Sequence, residues 1–185
     1  TQLTVSVEVK ETNSRNEWNI WVYPAKQEPI EQLPYIASAL DDQAMTRLEK
    51  GENVLLLLAP GSIAPDKGGD IRVGFSSIFW NTAWTNKQPP HTLGILCDPK
   101  HPALAAFPTE GYSDFQWWDL VSNCNAMVLD DFPADYHPVV HLIDDWFTNR
   151  KLGILLEGKV GNGKLMVCSA DLQRDLDKRP AARQF

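Results

Sequence analysis

The chain predicts an α/β fold: a doubly wound sheet that closes in an antiparallel meander and is preceded by a β-hairpin. Three observations carry that expectation. From Tyr35 onward, short apolar runs alternate with helix-forming stretches, the grammar of strands joined by crossover helices. "NVLLLL" is apolar without interruption, as in a strand covered on both faces. The last third carries three extended stretches in succession, the final two meeting at glycines.

The hairpin comes first. "LTVSVEV" alternates Leu3, Val5, Val7 and Val9 with Thr4, Ser6 and Glu8, and "EWNIWVY" alternates Trp18, Ile20 and Val22 with Asn19, Trp21 and Tyr23. The polar "ETNSRN" reads as their connection, and Pro24 ends the second strand. Residues 1–30 are therefore expected to be the end of an upstream β-sandwich or a pair of bridging strands, and residues 31–185 the α/β domain itself.

Within that domain "YIASAL" reads as a strand. Asp41 is a good N-cap for the helix that follows, Leu40 and Met45 stand at the two positions of a hydrophobic staple, and Gly51 stands where the helix should stop. "NVLLLL" and "TLGILCD" are the next strands. "HPALAAF" predicts a short helix ended by Pro108, "DFQWWDLVSN" a helix, and "AMVLDDF" a strand. "HPVVHLID", "KLGILLEGKV" and "GKLMVCSADL" are extended, the last two joined around Gly161, Asn162 and Gly163, with Asn162-Gly163 the hairpin-turn signal. The chain opens at Thr1 directly on a strand pattern and stops about five residues after the helix-starting Pro180, too few to sustain a helix alone. A segment cut from a longer protein is expected.

Composition bounds the function. The 185 residues can bury a core without disulfide staples. A formal charge of -7 argues against nucleic acid or an anionic membrane as partner, because both require a basic face. No apolar run approaches the length of a membrane-spanning helix. Cys97, Cys124 and Cys168 fit neither an even disulfide set nor a metal-binding CxxC spacing.

Each candidate motif has to be weighed against ordinary packing. "GKVGNGKL" approaches the phosphate-loop spacing, yet Leu165 stands where the magnesium-binding hydroxyl belongs and a strand follows where a helix is needed. Cys97 with His101 four residues on is the nearest thing to a nucleophile and base, but it lacks the glycine-flanked elbow such a thiol requires. His91, His101, His137 and His141 are scattered, with the last two about 13 Å apart at strand rise. No metal and no cofactor is expected. Glu110, Asp114, Asp119, Asp130, Asp131, Asp144, Asp145 and Glu157 could supply a carboxylate pair of the kind that hydrolyses glycosides, with nothing to say which two would meet. Trp80, Trp84, Trp117 and Trp118 fall in or beside loops after strands, where ligands of open α/β sheets bind. Indoles also stack on sugars, although buried packing is their commoner use.

The run "FWNTAWTNKQPPHTLGILCDPKHPALAAFPTEGYSDFQWWDL", followed by "GKLMVCSADLQRDLDKRPAARQF", resembles the C-terminal region of bacterial family 2, β-galactosidase-like glycoside hydrolases of the Bacteroidetes type. In those enzymes a class I glutamine-amidotransferase-like, flavodoxin-like domain follows β-sandwiches. The resemblance covers about residues 17 to 185. It implies an accessory domain of a periplasmic or extracellular carbohydrate-degrading enzyme, with the other domains of the parent as partners. Catalysis would lie elsewhere, since a (β/α)₈ barrel needs about 250 residues. The amidotransferase nucleophile does not carry over, for no Gly-x-Cys-x-Gly frame surrounds Cys97, Cys124 or Cys168. If sugar is bound, the expected contacts are Trp80, Trp84 and Trp117 as stacking platforms, with His91 and Glu110 as hydroxyl partners. The competing reading is a stand-alone cysteine-dependent hydrolase or amidotransferase-like enzyme using Cys97 with His101.

Overall fold

The computed structural model describes residues 1–25, 33–76 and 88–185. They form a two-stranded antiparallel sheet and a mixed sheet of seven strands. Strands β1 (Gln2–Glu8) and β2 (Arg15–Trp21) make the hairpin, with Leu3 opposite Ile20 and Val5 opposite Trp18. Opposed residues share a face, so the alternation read from the sequence collects its apolar side chains on one side.

The large sheet begins with β3 (Tyr35–Ala37), α1 (Asp42–Glu49) and β4 (Asn53–Leu57), a βαβ unit whose two strands are parallel neighbours. Asp41 caps α1, its Oδ1 accepting from the Ala44 amide at 2.8 Å. Gly51, at φ +88°, ends the helix turn, its amide donating to Leu48 O. Leu40 and Met45, expected as a staple, both remain exposed because α1 buries its other face through Ala44 and Leu48.

The remaining strands are β5 (Thr92–Cys97), β6 (Met127–Val128), β7 (Val140–Asp144), β8 (Leu152–Val160) and β9 (Gly163–Cys168), in the order β3-β4-β9-β8-β7-β5 with β6 beside β8. Only β3, β4 and β9 run parallel to one another. The meander β7-β8-β9 is antiparallel, and β5 pairs antiparallel with β7. The helices after β5 are short: a 3-10 turn at Pro102–Leu104, α2 (Trp117–Val121) and α3 (Pro180–Gln184).

β4 is covered on both sides, as its unbroken apolar run predicts. Val54 and Leu56 pack with Ala44 and Leu48 under α1, while Leu55 and Leu57 pack on the opposite core of Trp117, Phe107, Leu142, Leu152 and Cys168. The β8–β9 hairpin is also as predicted, but its two-residue turn is Gly161–Asn162, because Val160 pairs with Gly163. Gly161 takes φ +58° at the first turn position. Gly163 must lack a side chain, since a Cβ there would lie 2.3 Å from Glu52 O and 2.9 Å from the Leu48 backbone. Close seating of the turn against the end of α1 requires it.

Candidate functional site

Segment 107–117 connects the hairpin to the large sheet. Cys97 N donates to Gly111 O and Ile95 N to Ser113 Oγ, which lays the segment along the outer edge of β5. Asp114 orders it from within by accepting from Thr109 Oγ1, the Glu110 amide and the Gln116 amide. Burial pushes the Asp114 carboxyl above its ordinary range, against the pull of those bonds. Gln116 then donates to Pro108 O and accepts from the Tyr23 hydroxyl. Burial raises that phenol to about 12, with the Asp114 charge adding to the effect. Tyr23 also stacks on Phe107, with ring centroids 6.4 Å apart.

This network decides what several predicted site residues do. Glu110 Oε1 accepts from Asn19 Nδ2 at 3.2 Å, so the carboxylate reaches for the hairpin. Trp117 is fully buried, its Nε1 donating to Thr109 Oγ1 at 2.7 Å and its ring meeting Phe107 and Phe185 edge to face. An indole with no exposed face cannot stack on a sugar, and here Trp117 is core. His91 lies just before β5, its Nδ1 accepting from the Arg72 amide. Glu110 lies beside the other end of that strand, so about 20 Å of strand separates the two. The structure does not bring them together. Trp80 and Trp84 fall outside the described residues.

Cys97 and His101 are engaged separately. The Cys97 thiol donates to Glu110 O, and burial raises its pKa to about 11, with Asp114 and Asp98 adding. His101 Nδ1 accepts from the Ala103 amide, which places its proton on Nε2, 3.3 Å from Glu157 Oε1. That imidazole has no lone pair left to take a proton from a thiol. Cys124 and Cys168 are buried, with burial raising both thiols. Among the described residues no group of three or more His, Cys, Asp or Glu could hold a metal ion. None of the described helices is long and apolar enough to cross a membrane.

Other acidic residues serve structure. Asp144 forms a two-pronged ion pair with Arg150, and Asp145 accepts from the amides of Phe147 and Thr148 and from the Thr148 hydroxyl. They hold a turn on which Trp146 and Phe147 stand exposed, ring centroids 5.0 Å apart. Sequence reasoning missed this pair, whose available signal is two adjacent aromatics inside the polar "DDWFTN".

Among the described strands, the hairpin presents an exposed apolar face. Asn19, Trp21 and Tyr23 turn toward the α/β body, leaving Leu3, Val5, Val7 and Trp18 between 44% and 55% exposed. Alternation reveals the two faces, but only the Asn19–Glu110 and Tyr23–Gln116 contacts tell which one is outward.

No curated protein matches the chain. The family described as Domain of unknown function (DUF8487) matches residues 35–185, from β3 to the last residue. The chain belongs to that family.

Proposed function

We propose that the chain is a non-catalytic accessory domain of a β-galactosidase-like glycoside hydrolase and acts by packing on neighbouring domains. One observation carries the packing role: the hairpin holds its polar-parity face on the α/β body and presents Leu3, Val5, Val7 and Trp18 to solvent. An isolated two-stranded ribbon is marginal, and an apolar sheet face gains stability by stacking on another apolar layer. The glycosidase context comes from the resemblance of the "WNTAW" to "WWDL" run. A flavodoxin-like ancestry of the sheet belongs to the same reading, supported by the β3-α1-β4 unit and by the two covered faces of β4. The antiparallel setting of β5 is a departure from it. Cys97 and His101 are engaged with separate partners and do not meet as nucleophile and base, which favours an accessory role over a cysteine hydrolase.

Immunodepletion tests the proposal. An antibody to the α/β body should remove aryl-glycosidase activity from an extract of the source cells in step with the domain. Full depletion of the domain with the activity left in the supernatant would overturn it.

A further inference from the structure

At the lower rim of the large sheet, β8, β9 and β4 set Lys159 opposite Lys164 and Lys164 opposite Asn53. The next row on the same face is Glu157, Met166, Leu55 and Ile36. Val160 and Gly163 flank the two-residue turn as its hydrogen-bonded pair, so the two lysines occupy the closer, non-hydrogen-bonded pair, with Cα atoms about 4.5 Å apart. Like charges set directly opposite each other destabilise a strand pair. The nearby carboxylates have other partners: Glu157 Oε1 lies 3.3 Å from the Nε2–H of His101, and Glu52 pairs with Arg47 at 2.6 Å. Neither lysine has an ion-pair partner among the described residues. Both line an open cleft of about 1290 Å³, along with Asn53, Leu55, Met166, Arg47 and the carboxylates Glu52 and Glu157.

We infer that this cleft binds an organic carboxylate, with the Lys159 and Lys164 ammonium groups on the anion, Asn53 beside it, and Met166 and Leu55 against an apolar face of the ligand's body. A bound carboxylate relieves the lysine repulsion through charge-assisted hydrogen bonds, and the thioether and leucine reward a ligand that is more than a bare ion. The cleft is larger than a typical small-ligand pocket, which suits an extended molecule. Acidic oligosaccharides and fatty acids share this chemistry. The site stands independently of the accessory-domain reading, since it rests on other residues at another end of the sheet.

Methyl NMR of the whole chain tests it, because Met45, Met127 and Met166 report from outside α1, from the core and from the cleft. The protein is titrated separately with trigalacturonate, octanoate and inorganic phosphate. The Met166 methyl should move saturably with one of the two carboxylates at a Kd below about 10 mM, while Met127 stays put. The responding arm identifies the source of the carboxylate. The double substitution Lys159→Gln/Lys164→Gln should weaken that binding at least about tenfold with the Met127 signal unchanged, as expected for lost charge-assisted bonds. High salt should weaken binding to the native chain in the same direction. A still Met166 methyl with both carboxylates, undiminished binding in the double variant, or phosphate matching the carboxylates would each overturn the inference.

Discussion

Asn19 on β2 donates its side-chain amide hydrogen to Glu110 Oε1 at 3.2 Å, tying the hairpin to the segment that edges β5. This contact gives Glu110 a positioning role, and with Tyr23 it turns the apolar side of the hairpin outward. Replacing Glu110 by Ala should therefore speed hydrogen exchange in β1 and β2 while lowering global stability by only about 0.5–1 kcal/mol, as for a part-exposed hydrogen bond. Unchanged hairpin exchange would show that Tyr23 alone holds it.

Trp117 should behave as a core residue. Trp117→Ala removes the indole that Phe107 and Phe185 pack against, together with its hydrogen bond to Thr109 Oγ1, so urea unfolding should register a loss of about 3–5 kcal/mol. A loss below about 1 kcal/mol, within the range of surface substitutions, would refute the assignment.

Cys97 should be a slow nucleophile at neutral pH. With its thiol raised to about 11 by burial and nearby carboxylates, its iodoacetamide labelling should climb steadily from pH 7 past pH 10. Fast stoichiometric labelling near pH 6 would restore the cysteine-enzyme reading.

His141 makes stability depend on pH in a definite direction. Burial lowers its pKa below 6.5, and the neighbouring His137 and Lys151 lower it further; Leu96 of β5 and Gly153 of β8 are its cross-strand neighbours and carry no charge. The unfolded chain then binds a proton that the folded chain refuses, so stability is present above the unfolded value and falls as pH drops through 6.5 toward the lower folded value. Urea midpoints between pH 7.5 and pH 5 should decline for the native chain and decline less for His141→Gln. Parallel declines would exclude His141 as the cause.

Local patterns are legible in the sequence because they depend on residues close together along the chain. Asp41 caps α1 through a bond three residues long, and alternation of Leu3, Val5 and Val7 with polar residues follows from the two-residue repeat of a strand. The double coverage of β4 is readable from five apolar residues in a row, and the β8–β9 hairpin from its glycines. Tertiary structure alone decides which hairpin face meets solvent, that β5 runs antiparallel to β7, that Trp117 lies inside, and that Glu110 and His91 sit at opposite ends of one strand. Each of these rests on a contact between residues far apart in the chain. Residue type sets what a side chain can do, but its neighbours in space, fixed only when the whole sheet has paired, select which of those roles it takes.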